Sequence, residues 1–181
     1  VEEFNADEPA RFYTFKNFEV ATNYGGAYTD FRTSGKYNQF LDIAVFVAYP
    51  IVADTAADVA DAKIWYGVKF TEQISNKISY EEQDSLYTLF YDECLLELEN
   101  YPFYTISYFE RTPKSADRQN YLQAIKARTE KETNETFVVL EPQTEAFENR
   151  NGSTFGWIFG SFGIGLGVLL VILIWPGYDQ K

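Results

Sequence analysis

Residues 155–175, FGWIFGSFGIGLGVLLVILIW, run for 21 positions without a charge. As a helix rising about 1.5 Å per residue they would reach roughly 30 Å, the thickness of a bilayer's hydrocarbon core. A buried core helix rarely runs past about 18 apolar residues without a polar break. The run therefore predicts one C-terminal transmembrane helix that holds everything before it at a membrane surface. Trp157 and Trp175 stand near its two ends, where indole rings settle among headgroups, and Pro176 and Gly177 stop the helix.

The first half of this run carries Gly156, Gly160, Gly163 and Gly167 at steps of four, three and four, so all four share one helical face. Ser161 and Gly165 add a small pair on a neighbouring face. Close backbone approach is the main attraction between helices in lipid, and a ridge without side chains permits it. The stripe predicts a helix-packing interface with another membrane-protein subunit or a second copy.

Orientation follows less directly. One Lys or Arg stands near each end of the run, Arg150 before it and Lys181 after it, so the positive-inside rule is tied. The chain contains no Met and starts at Val1. A removed leader would explain both facts and would put the N-terminal part on the extracytoplasmic or lumenal side.

About 150 residues precede the run, enough for one compact domain. The net charge is −12. Such an acidic surface repels phosphate backbones and argues against nucleic-acid binding. Aromatic residues make up 18 % of the chain, with 14 Tyr and 16 Phe, which separates it from disordered acidic tails. With Cys94 as the single cysteine, no disulfide framework can staple the domain.

In chain order, residues 1–10 read as an exposed acidic arm. Residues 11–24 and 27–32 read as a hairpin turning at Gly25 and Gly26. Residues 39–52, QFLDIAVFVAYPIV, read as a buried central strand. In residues 63–74, Trp65, Gly67, Lys69 and Thr71 alternate with Ile64, Tyr66, Val68 and Phe70, which predicts a half-buried strand. Residues 79–100 read as a helix opened by a Ser79–Glu82 capping box, with Leu86, Leu89, Phe90, Cys94 and Leu96 or Leu98 as its apolar row. A strand over 103–110, a helix over 115–130 capped by Ser115, and a strand over 136–140 complete the pattern. The fold class expected is an α+β extramembrane domain over 11–140, a mixed sheet with about two packed helices. A polar tether over 141–154, the transmembrane helix over 155–175 and a short tail over 176–181 follow.

Chemistry is sparse. Without His there is no His-based triad and no His-ligated zinc. No P-loop, GxGxxG or GxSxG motif occurs. Asp54, Asp58 and Asp61 fall at helical spacing, yet they lack the Gly and terminal Glu of an EF-hand loop and read as a short solvated helix with Asp near its N-terminus. Acidic neighbours at Asp92 and Glu93 make Cys94 filler rather than nucleophile. Two N-x-S/T triplets stand at Asn134 and Asn151; Asn134 is the better glycosylation candidate because Asn151 lies too close to the apolar run. No catalytic, cofactor or metal residue is expected. The leading expectation is a non-catalytic, single-pass accessory subunit of a larger membrane complex. A membrane-anchored receptor-type binding protein is the alternative. A hydrolase working through carboxylates such as Asp30 or Asp42 is a third.

Overall fold

The computed structural model describes residues 10–53, 59–129, 137–151 and 154–174, and within the last stretch the side chains of 160–171. The chain divides into two compact units, Val1–Thr144 and Glu145–Lys181.

The first unit is built on β4 (Phe40–Val52) and β5 (Ile64–Ser75), two long antiparallel strands in register from Phe40 against Ser75 to Pro50 against Trp65. Their β-branched and aromatic content suits a pleated surface covered on both sides. β3 (Gly26–Ser34) pairs antiparallel with β4 through a tight connection in which Gly35 takes φ +84° and Asn38 φ 49°, residue types that tolerate the left-handed region. β2 (Glu19–Val20) pairs with the far end of β4, at Ile51 and Val52. On the other side β7 (Val138–Gln143) runs parallel to β5, β6 (Tyr108–Arg111) antiparallel to β7, and β1 (Phe12–Tyr13) antiparallel to β6. The result is a seven-stranded mixed sheet, order β1-β6-β7-β5-β4-β2 with β3 also on β4, curved into a half-barrel.

Two helices cover opposite faces of this sheet. Helix α1 (Tyr80–Glu99) starts on the capping box: the Glu82 backbone N–H donates to Ser79 Oγ, and the Ser79 N–H donates to the Glu82 carboxylate. It lays Phe90 and Cys94 on the face made by Ile43, Val45, Val47 and Val68. Helix α2 (Ala116–Thr129) is capped by Ser115, whose Oγ accepts from the Arg118 N–H. It lays Tyr121, Ala124 and Ile125 on Phe46, Ala48, Trp65 and Val139. The strand period of two divides β4 between the two cores, odd positions to α1 and even positions to α2.

Several expectations change. Residues 11–24 do not fold back on 27–32 around Gly25 and Gly26; β1 and β2 each serve another strand, and the hairpin is β3–β4. The strand expected to be half-buried, β5, is buried on both faces over Ile64, Trp65, Tyr66, Gly67 and Val68, because α2 covers the Trp65 side as α1 covers the other. Leu86, Leu89 and Leu96 are exposed. At about 100° per residue Leu89 and Leu96 point away from the Phe90–Cys94 face that meets the sheet, and Leu86 lies at its margin.

The second unit holds a 3-10 turn, Phe147–Asn151, and helix α3, Thr154–Ile174. A helix forms over the apolar run, but among the described residues no helix is long and apolar enough to cross a membrane. The expected transmembrane helix, the single-pass topology and the membrane localisation with an outward N-terminal domain are therefore overturned. The architecture is a mixed-sheet half-barrel with three helices.

Candidate functional site

On α3, a Cβ added at Gly160, Gly163, Gly165 or Gly167 would meet nothing within 4 Å. The large side chains between and after these glycines are open as well, from Leu170 at 47 % to Ile164 at 72 % exposure, with Phe162, Leu166, Val168, Leu169 and Val171 in that range. Gly160, Gly163 and Gly167 thus form an unfilled ridge on a helix segment with no charged residue. Gly156 and Trp157 lie outside the residues whose side chains are described. Trp175 and Asn134 lie outside the described residues altogether.

A polar cleft of about 450 Å³ opens on the α2 face of the sheet, beyond the end of α2. The register of β3, β4 and β5 sets Asp30, Arg32, Asp42 and Lys69 around it, and the first turn of α2 adds Asp117. These five charges are engaged. Asp30 Oδ2 accepts from Arg32 at 2.7 Å and from Asn120 Nδ2 at 3.0 Å. Lys69 Nζ lies 2.6 Å from Asp117 Oδ2 and 5.2 Å from the centre of the Phe46 ring. Asp42 accepts from Gln73 Nε2 at 2.6 Å, and hydrogen bonds from Gln73 and Ser34 hold its carboxyl below the usual range. The structure therefore brings Asp30 and Asp42, the acids considered for a hydrolase, to one cleft. The lowered Asp42 carboxyl is the opposite of what a general acid needs.

Next to Asp117, beneath α2, a third carboxyl behaves differently. Glu141 on β7 is pushed up by burial, and Asp117 pushes the same way. The Tyr121 and Thr112 hydroxyls interact with it and favour the charged form, at a geometry looser than a formed hydrogen bond. Both hydroxyls are fully shielded from solvent.

The remaining candidates resolve simply. Asp54 and Asp58 lie outside the described residues, and Asp61 sits in a 3-10 turn, Val59–Asp61. Among the described residues no group of three or more His, Cys, Asp or Glu is placed to hold a metal ion. Cys94 is buried at 3 % exposure, and its thiol is pushed up to about 11, by burial first and by Glu97 and Glu93 after it. A cavity of about 570 Å³ near β1 and β2 is bordered by Lys16, Glu19 and Tyr104, and Tyr104 donates to Glu19 at 3.1 Å. Sequence reasoning missed the Lys69–Asp117 pair and the Glu141 cluster. The one available signal was Lys69, a charge at a strand position that shares its face with Trp65 and Gly67.

Compared with known proteins, the chain matches no family model, no curated protein and no solved structure.

Proposed function

We propose that this chain is a non-catalytic accessory subunit of a larger protein assembly, joined to a helix of another protein through the glycine ridge of α3. The observation that carries the reading is the exposure of α3: seven large apolar side chains stand about half open around glycines that touch nothing. At about 1.5–3 kcal/mol for each large apolar side chain fully buried, leaving them in water forgoes roughly 10 kcal/mol. Contiguous apolar surface of this kind marks interaction sites. The small residues admit a second helix close to the backbone, where many weak contacts add up.

The test is size separation of the intact chain gently extracted from its native source. The expected result is elution as part of a larger particle of fixed composition. Replacing Gly160, Gly163 and Gly167 with Leu should release the chain while the first unit keeps its far-UV spectrum and melting point. Elution as a lone monomer, or a particle indifferent to the three substitutions, would sink the reading.

A further inference from the structure

The sheet of the first unit ends in two unlike edges. One is β1, two residues long. The other is β3, nine residues long and paired without a break to β4 from Gly26 opposite Ala48 to Ser34 opposite Phe40. Among the described residues nothing pairs with the outer side of β3. Such an edge presents a row of free N–H and C=O groups, and proteins normally blunt it with charged side chains, especially Lys, with Pro, a bulge or short length. The β3 segment GAYTDFRTS has no Lys, Pro or bulge, and its two charges, Asp30 and Arg32, pair with each other.

Its sequence is complementary to itself when read antiparallel about Phe31. Thr29-Asp30-Phe31-Arg32-Thr33 then sets Phe31 opposite Phe31 of a second copy, Asp30 opposite Arg32, and Thr29 opposite Thr33. Directly opposed Cβ atoms lie about 4.5–5.5 Å apart, and opposite charges, aromatic pairs and Thr pairs there are all favourable. Phe31 is 51 % exposed, which is unusual for a large ring in the middle of a strand. The dyad passes through a residue pair, so the register holds whether that pair is a hydrogen-bonding or a non-bonding one. The local charge also suits a second copy. The net charge of −12 opposes association in general, and α1 contains no Lys or Arg, but β3 balances one Asp with one Arg. Tyr91 and Leu95 of α1 border the same edge beside Ala27 and offer apolar surface to an incoming strand.

We propose that the outer edge of β3 pairs antiparallel with β3 of a second copy, centred on Phe31, so that two half-barrels share one continuous sheet. The contact is isologous and closes as a two-fold dimer. It uses the first unit alone and stands apart from the role given to α3.

The test mixes two full-length variants, Phe31→Glu and Phe31→Lys, one of them tagged. Each alone places like charges across the dyad, and the mixture places opposite charges there. Recovery of untagged chain on tagged chain should be several-fold higher for the Glu–Lys mixture than for Glu–Glu or Lys–Lys. Equal recovery in all three mixtures overturns the proposal, because association through α3 or any other surface ignores the charge at residue 31. A wild-type chain that sediments as a monomer at every concentration overturns it too. A second set reads the same contact through other residues: Asp30→Arg should weaken pairing, and Asp30→Arg with Arg32→Asp should restore it, since the double exchange rebuilds the internal pair and the cross-strand pairs, with a melting curve of each variant reporting the lost Asn120–Asp30 hydrogen bond. Leu at Gly160, Gly163 and Gly167 should leave this pairing unchanged, so failure here and failure of the α3 reading give different results.

Discussion

The carbonyl oxygen of Ala124, on α2, occupies the place where a Cβ on residue 26 would stand, so the helix rests directly on the backbone of β3 at Gly26. Residue 26 cannot gain a methyl group unless α2 lifts, and Tyr121 and Ile125 would lift with it off Phe46 and Trp65. Gly26→Ala should destabilise the fold by about 1–3 kcal/mol, the cost typical of overpacking. A urea titration followed by tryptophan fluorescence measures it. An unchanged midpoint would show that α2 does not sit on this strand.

Glu141 makes stability depend on pH in an unusual direction for a carboxylate. Its value in the fold is raised from 4.5 by burial. In the window from about that ordinary value up to the raised one, the folded chain keeps a proton that the unfolded chain has released. The unfolded state binds fewer protons there, so stability falls as pH rises through the window and levels off above it. Glu141→Gln cannot ionise and should flatten this decline, gaining most over the native chain at neutral pH and least in acid. Urea midpoints of the two proteins across the acid range test the sign. Parallel curves would remove Glu141 as the cause.

Burial also fixes the behaviour of Cys94. A thiol pushed up to about 11 is ionised in only about one molecule per thousand at pH 8, and it lies at 3 % exposure on the sheet-facing side of α1. The folded chain should resist a thiol-alkylating reagent at that pH, and modification should follow unfolding in urea. Rapid labelling without denaturant would show that α1 detaches readily from the sheet.

What could be read from the chain was local. The alternation of Trp65, Gly67 and Lys69 with Ile64, Tyr66 and Val68 gave β5 its two faces, and Ser79 with Glu82 marked the start of α1 three residues apart. The pairing of strands was not local. Gly25 and Gly26 have the composition of a hairpin turn, yet the glycine at 26 is needed for contact with a helix almost a hundred residues later, and the hairpin turns at Gly35. Leu86, Leu89 and Leu96 share helical spacing with Phe90 and Cys94, but the combined arc is wider than one sheet face can cover. The Lys69–Asp117 pair joins residues 48 apart, and only the packing of α2 brings them to one cleft. The apolar run at the C-terminus predicted a helix by its composition. Its length was read as a bilayer span, whereas the described part is an exposed apolar helix with an open glycine ridge.

The two ends of α1 differ in how well they are satisfied. At the N-terminus, Ser79 and Glu82 each accept a hydrogen bond from the other's backbone N–H, and Glu81 and Glu82 sit where the helix dipole favours negative charge. At the C-terminus no base stands in the last turn, and Glu97 and Glu99 place like charge against the dipole. Ser79→Ala should cost about 1 kcal/mol. Glu82→Ala should cost a comparable or smaller amount, and the double variant less than the sum, because either change alone breaks the reciprocal arrangement. Glu99→Lys should instead raise stability by about 0.3–1 kcal/mol at low salt, and the gain should shrink as salt is added. Urea midpoints for the four variants at low and high ionic strength check all of this. Additivity of the Ser79 and Glu82 changes to within about 0.3 kcal/mol would mean that the box does not act as a unit.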